Sequence, residues 1–300
     1  MSTHRSPGRR LPLVTPREAP LGAPRLGVLS IHLDGVRCRV GCEFCYLGAR
    51  APAPGAADPA GDTAALCGAL ERLDCSEVAV ALSEPIAAHL PALAAIARVA
   101  VARRLPLALT TTASIIGQLL AHRDAGEADP LVGATRISIS VDPRKGPVTP
   151  AFLGDLARRA AAPGRAVYLI ATLIDEAFAQ ALVGGDLAAL VELGAIDGVA
   201  LHGLKPPPPW CDRAFWLRAL AALAPLLSRH LDRRLFLDCY VAARILDLGG
   251  CPARPDLSPG REFRACVYQA APDFTYRDGA DLAARLAGFA PPATCPFPIP

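Results

Sequence analysis

No stretch of the 300-residue sequence offers the roughly 20 consecutive apolar residues of a membrane-spanning helix; its greasy segments are alanine-rich and broken by charges or prolines. The opening MSTHRSPGRRLPLVTPREAPLGAPR is positively charged but has no uninterrupted apolar core. It is therefore a poor secretory signal, and its prolines oppose the amphipathic helix of a transit peptide. We read residues 1–25 as a disordered or loosely attached arm, and we expect a cytoplasmic protein that does not use a membrane. Charge of one sign is scarce too. The formal net charge is +3 and the arginines are scattered rather than gathered in a stripe, which argues against a nucleic-acid partner. There is no glycine-rich phosphate loop, no internal repeat beyond a strand–helix unit, and no low-complexity segment except the prolines at 206–209.

What is present is apolar and periodic. Hydrophobic residues make up 52% of the chain and charged residues 20%, enough for a sizeable core in one large α/β domain. Short β-like runs alternate with alanine- and leucine-rich helical stretches. Strands are expected at 27–33, 77–82, 105–112, 136–141, 166–174, 198–204 and 234–241. Helices are expected between them, among them 149–161 behind a threonine cap. Strand–helix–strand repeated about six times means a parallel sheet with right-handed crossovers. An open doubly wound sheet and a barrel share this pattern. The missing phosphate loop favours a barrel or partial barrel, whose functional groups sit at the C-terminal ends of the strands. The segments there are the cysteine loop after the first strand, Ser83–Glu84–Pro85, the threonines 110–112, Ser140 and Asp142, Thr172, and His202 to Lys205. Beyond about residue 242 the sequence is rich in Pro, Gly and Arg, with one helical stretch near 280–288.

Ten cysteines are many for a reducing compartment, and the chain is too long and too apolar to need a disulfide framework. Cys38, Cys42 and Cys45 stand in a C-x3-C-x2-C run with Gly41 inside it. Such a loop can wrap an iron–sulfur cube so that three thiolates reach three corners. One iron is then left open, as catalytic metal sites keep a position and structural sites close it. A small molecule with an amine and a carboxylate can chelate that iron. The bland alternative is a zinc knuckle completed by a distant cysteine or by His32, but no second close cysteine pair is present.

The loop resembles the signature of the radical S-adenosylmethionine (radical SAM) enzymes, which have this spacing and an aromatic residue just before the last cysteine. Phe44 fills that place and Tyr46 follows. The resemblance covers roughly residues 26–241. It implies an α/β fold, a partial (β/α)6 TIM-like barrel, here with a loop-rich, cysteine-containing C-terminal extension at 242–300. It implies a 4Fe–4S cluster on Cys38, Cys42 and Cys45 that binds S-adenosylmethionine and cleaves it to a 5′-deoxyadenosyl radical, and a reductant such as flavodoxin or ferredoxin. Where the family has Gly-Gly-Glu-Pro after the second strand, this chain has Leu82-Ser83-Glu84-Pro85, so Glu84 and Ser83 are candidates to face the methionine amine. Read without the family, the same stretch is a strand end before a helix-starting Glu-Pro. Ser140 and Asp142 fit the family's ribose-binding position after the fourth strand, with Ser138 on the same face as a spare. Thr172 fits the fifth-strand polar position; a buried strand threonine is the alternative.

Other residues have double readings. His32 reads as a core histidine rather than a ligand. Lys205 could hold a substrate carboxylate or simply be solvated. Cys67 and Cys75 read as core. Cys239, Cys251, Cys266 and Cys295, with a turn at Asp278–Gly279, are faintly similar to family extensions that bind auxiliary iron–sulfur clusters, but compact cysteine pairs are absent and unligated thiols are the alternative. The expected activity is hydrogen abstraction from a peptide or a small molecule. The rivals are an iron–sulfur electron carrier or scaffold, and a zinc-binding structural protein.

Overall fold

The computed structural model describes residues 25–33, 59–83, 86–144, 149–204, 208–230, 235–239, 241–246, 255–258, 260–266, 269, 271–287 and 289. Seven strands run in parallel: β1 (Arg25–Leu33), β2 (Asp74–Leu82), β3 (Leu107–Thr112), β4 (Ala134–Val141), β5 (Ala166–Leu173), β6 (Gly198–Gly203) and β7 (Leu235–Leu237). Between them lie α1 (Pro59–Arg72), α2 (Leu90–Arg103), α3 (Ala113–Asp124), α4 (Pro150–Ala160), the short pair α5 (Glu176–Ala181) and α6 (Leu187–Val191), and α7 (Arg213–His230). After β7 come β8 (Asp256–Ser258), β9 (Glu262–Arg264), β10 (Phe274–Thr275) and α8 (Gly279–Leu286).

The sheet order is β10-β9-β8-β1-β2-β3-β4-β5-β6-β7. The seven parallel strands follow chain order without a reversal, so every right-handed crossover steps the same way and the connecting helices share one face. That settles the choice the strand pattern left open: the sheet is singly wound and barrel-like, and it is not closed.

Period-two alternation divides each strand between two faces. On β4, Ile137, Ile139 and Val141 are buried, as are Val167, Leu169, Ala171 and Leu173 on β5; α3 packs over β3 and β4 with Ile115, Ile116, Leu119 and Leu120. Each Val, Leu or Ile among them contributes about 1.5–3 kcal/mol on leaving water. Local chemistry starts the helices where they start. The Thr112, Thr149 and Asp175 side chains accept the N–H of Ile115, Phe152 and Phe178, satisfying amides that have no partner inside the helix.

The opposite face carries the polar and small residues. Register joins His32, Ala81, Thr110, Ser138, Tyr168 and Gly198 across six strands, and Thr112, Ser140, Ile170, Ala200 and Phe236 in a second row. Toward the N-terminal ends this face is filled. Arg136 reaches Glu77 across β3 and lies over the Tyr168 ring, which meets Phe236 at 5.7 Å. The two rings converge over Gly198, where a Cβ would stand 2.7 Å from one and 2.8 Å from the other.

His89, just before α2, is 6% exposed, and burial lowers its pKa below the ordinary histidine value. The unfolded chain therefore takes up this proton at a higher pH than the folded one does. Stability is full above the unfolded value of about 6.5 and is lost as pH falls below it. Denaturant titrations from pH 7.5 to 5.5 should show a smaller loss of stability in His89→Gln than in the wild type.

Candidate active site

The mouth of the partial barrel is the edge where the parallel strands end. Side-chain hydroxyls satisfy backbone carbonyls there: Ser83 Oγ donates to the carbonyl of Leu33, the last residue of β1, at 3.5 Å, and Thr111 Oγ1 donates to Leu82 at 3.3 Å. Both hydroxyls are buried. Of the threonines at 110–112, Thr111 is thus committed to a strand end and Thr112 to the α3 cap, which leaves Thr110, half-buried, on the open face.

Ser140 and Thr172 are half-buried on that face, one strand apart. Asp142 is fully buried just past β4, and its Oδ1 accepts the N–H of Arg144 at 3.0 Å. This shapes the turn that leaves the strand, so Asp142 has a structural duty whatever else it does. His202 faces the same side as Thr172, its register partner on β5. Its Nδ1 lies 4.0 Å from Asp238 Oδ2. Asp238 is a mouth residue that sequence reading passed over. Its carboxylate accepts the N–H of Gly203 at 3.0 Å and of Val241 at 2.8 Å, tying the end of β6 to the chain beyond β7. The signal was present, since Asp238 follows an apolar strand as Asp142 does.

His32 is buried, as expected of a core histidine, but it is not apolar filling. Its Nδ1 lies 2.5 Å from Asp256 Oδ1, with the two side chains 2% and 0% exposed. An ionised carboxylate at that distance requires the hydrogen on Nδ1. Arg264, also 2% exposed, donates to Ser258 Oγ and Glu262 Oε2 at 2.6 Å each and sits 3.8 Å from Asp256 Oδ2. This buried polar cluster belongs to a segment that reads as loop in sequence.

Cys38, Cys42, Cys45, Phe44, Tyr46, Glu84, Lys205, Cys251 and Cys295 lie outside the described residues. Among the described cysteines, burial pushes the Cys75 and Cys211 thiols up to about 11 and raises that of Cys67, so none of the three is a ready thiolate. Cys239 is half-buried; Cys266 is buried, and its N–H donates to Gln269. Among the described residues, no group of three or more His, Cys, Asp or Glu is placed to hold a metal. No described helix is long and apolar enough to cross a membrane.

No protein-family model and no curated protein matches the sequence. Solved structures do match in shape. Native anSMEcpe, an anaerobic sulfatase-maturating radical SAM enzyme solved with bound AdoMet and the Cp18Cys peptide, aligns with a TM-score of 0.53 at 10% identity, over 87% of this chain and 80% of that one. The hexahistidine-tagged form with bound AdoMet aligns with a TM-score of 0.54 at 10% identity, over 88% and 77%. This chain shares the partial-barrel fold of those structures. In that fold β1 delivers the chain to the mouth at Leu33, and the C-x3-C-x2-C run follows it directly. The donor set of that run suits an iron–sulfur cube, three thiolates with one corner left over, and the described strand ends carry the hydroxyls of Ser140 and Thr172.

Proposed function

We propose that the protein is a radical S-adenosylmethionine enzyme that acts at the mouth of the partial barrel. One observation supports the reading: β1, which the C-x3-C-x2-C run follows in sequence, ends at the same sheet edge as the strands that carry Ser140, Thr172 and His202 and precede Asp142. Cys38, Cys42 and Cys45 would hold a 4Fe–4S cluster, which when bound would supply the single electron for reductive cleavage of S-adenosylmethionine to methionine and a 5′-deoxyadenosyl radical able to take a hydrogen atom from substrate. The protein's part is to bind, orient and exclude water.

Ser140 and Thr172 are one strand apart on the open face, a spacing that suits a ribose with neighbouring hydroxyls. Glu84, Phe44 and Tyr46 would contribute to binding the cofactor, and Ser83 keeps the end of β1 in place through the Leu33 carbonyl. A flavodoxin or ferredoxin delivers the electron. The substrate is a peptide or a small molecule. The peptide bound by the similarly folded anSMEcpe favours the former.

Anaerobically purified protein should contain about four irons at the triplet and no zinc there, whereas one zinc per chain would overturn the reading. Asp142 is committed to the turn after β4, so Ser140→Ala is the cleaner probe of the ribose position. Losing a neutral hydrogen bond costs about 0.5–1.5 kcal/mol, so S-adenosylmethionine should bind roughly 2- to 10-fold more weakly by calorimetry.

A further inference from the structure

Residues 255–287 reach back across the whole chain and touch two elements in particular. The first is β1: β8 pairs with it in parallel, Ser30 opposite Asp256 and Ile31 opposite Leu257, and Asp256 meets His32. The second is α1. Asp62, in its first turn, accepts the N–H of Gly260 at 3.0 Å and Arg261 Nε at 3.1 Å. Arg261 does this from a left-handed conformation, φ 60°, that a side chain with a Cβ rarely adopts and that costs about 1 kcal/mol. A glycine would relieve that strain and lose the guanidinium. Farther along α1, the start of α8 lies backbone against backbone. A Cβ on Gly279 would stand 2.3 Å from the Gly68 carbonyl oxygen and 2.7 Å from the Ala69 nitrogen.

β1 ends at Leu33 and α1 begins at Pro59. The two elements gripped by the tail are the two that flank segment 34–58, which carries the cysteine triplet. The grip on β1 includes three buried ionisable side chains, His32, Asp256 and Arg264. Packed apolar residues would hold a sheet edge at least as well, so stability alone does not account for them.

We propose that residues 255–287 brace the triplet-bearing segment by fixing the spacing of its two ends, with Asp256 positioning the β1 end through His32 and Arg261 positioning the α1 end through Asp62. The brace rests on the reading of the triplet as a cluster site. Its consequence is that thiolate spacing depends on a tail remote in sequence. Disturbing the tail contact changes the cluster without unfolding the barrel.

The test compares reconstituted wild-type protein with Asp62→Ala and Gly279→Ala, which loosen the α1 contact at separate points. Leu119→Val on α3 serves as a control for general destabilisation. The readouts are the electron paramagnetic resonance spectrum of the reduced cluster, the rate of iron loss to a chelator, and the thermal midpoint. The brace predicts at least threefold faster iron loss and an altered spectrum in both tail variants, beyond any change in the control. Wild-type spectra and rates in both, or effects no larger than the control's at equal midpoint, overturn it. If wild-type protein holds no iron, the cluster reading fails. Hydrogen exchange over 34–58 in the metal-free chain then decides the brace by itself: faster exchange in the tail variants supports it, and unchanged exchange overturns it.

Discussion

A Cys38→Ala, Cys42→Ala, Cys45→Ala variant is expected to lose the cluster's iron and all cleavage of S-adenosylmethionine while keeping the fold. In the sequence the three residues fall between β1 and α1, and the described strands and helices build their core without them. Circular dichroism and the thermal midpoint should therefore stay close to those of the wild type. With the triplet as the sole cluster site, iron should fall from about four atoms per chain to none. A fall from about eight to about four would show a second cluster. Cys239, Cys251, Cys266 and Cys295 would then be its candidate ligands, with Cys67, Cys75 and Cys211 set aside because burial keeps their thiols protonated.

Asp256→Ala should produce the largest loss of stability of any single polar substitution in the described residues. Asp256 is fully buried between His32 and Arg264, which are themselves 2% exposed. Removing it takes the charged acceptor from the His32 imidazole and the second carboxylate from the Arg264 guanidinium, which keeps Glu262 at 2.6 Å. Breaking a buried pair from one side costs about 3–5 kcal/mol, a fall in the thermal midpoint on the order of 10 °C. Asp155→Ala is the contrast. Its 3.5 Å pair with Arg158 joins side chains 60% and 64% exposed, and such pairs are screened by water, so the midpoint should move by about 1 °C or less. Equal shifts in the two variants would contradict the burial argument.

The seven-strand frame was legible in the sequence because its signal is local. Each strand is an apolar run bounded by turn residues, and β1 to β6 fall within a few residues of where the pattern puts them. β7 is shorter, Leu235–Leu237, because Asp238 turns to hold the β6 end. The tail strands were not legible. Strands of three, three and two residues are too short to show a period of two. What holds them is long-range, since His32 and Asp256 are 224 residues apart in the chain. The cysteine triplet stands out in the sequence for the same local reason: its three thiols sit within eight residues. Ser83 shows the limit of motif reading. Its position at the second strand end was recognised, but its donation to the Leu33 carbonyl follows only from the register of β1 and β2.

The most direct measurement is 5′-deoxyadenosine formation. Protein purified and reconstituted without oxygen, reduced with dithionite and given S-adenosylmethionine, should release 5′-deoxyadenosine and methionine. The triple cysteine variant under the same conditions should release neither. Iron-loaded wild-type protein that stays reduced yet leaves S-adenosylmethionine intact would contradict the account, and would place the cluster with electron carriers or scaffolds.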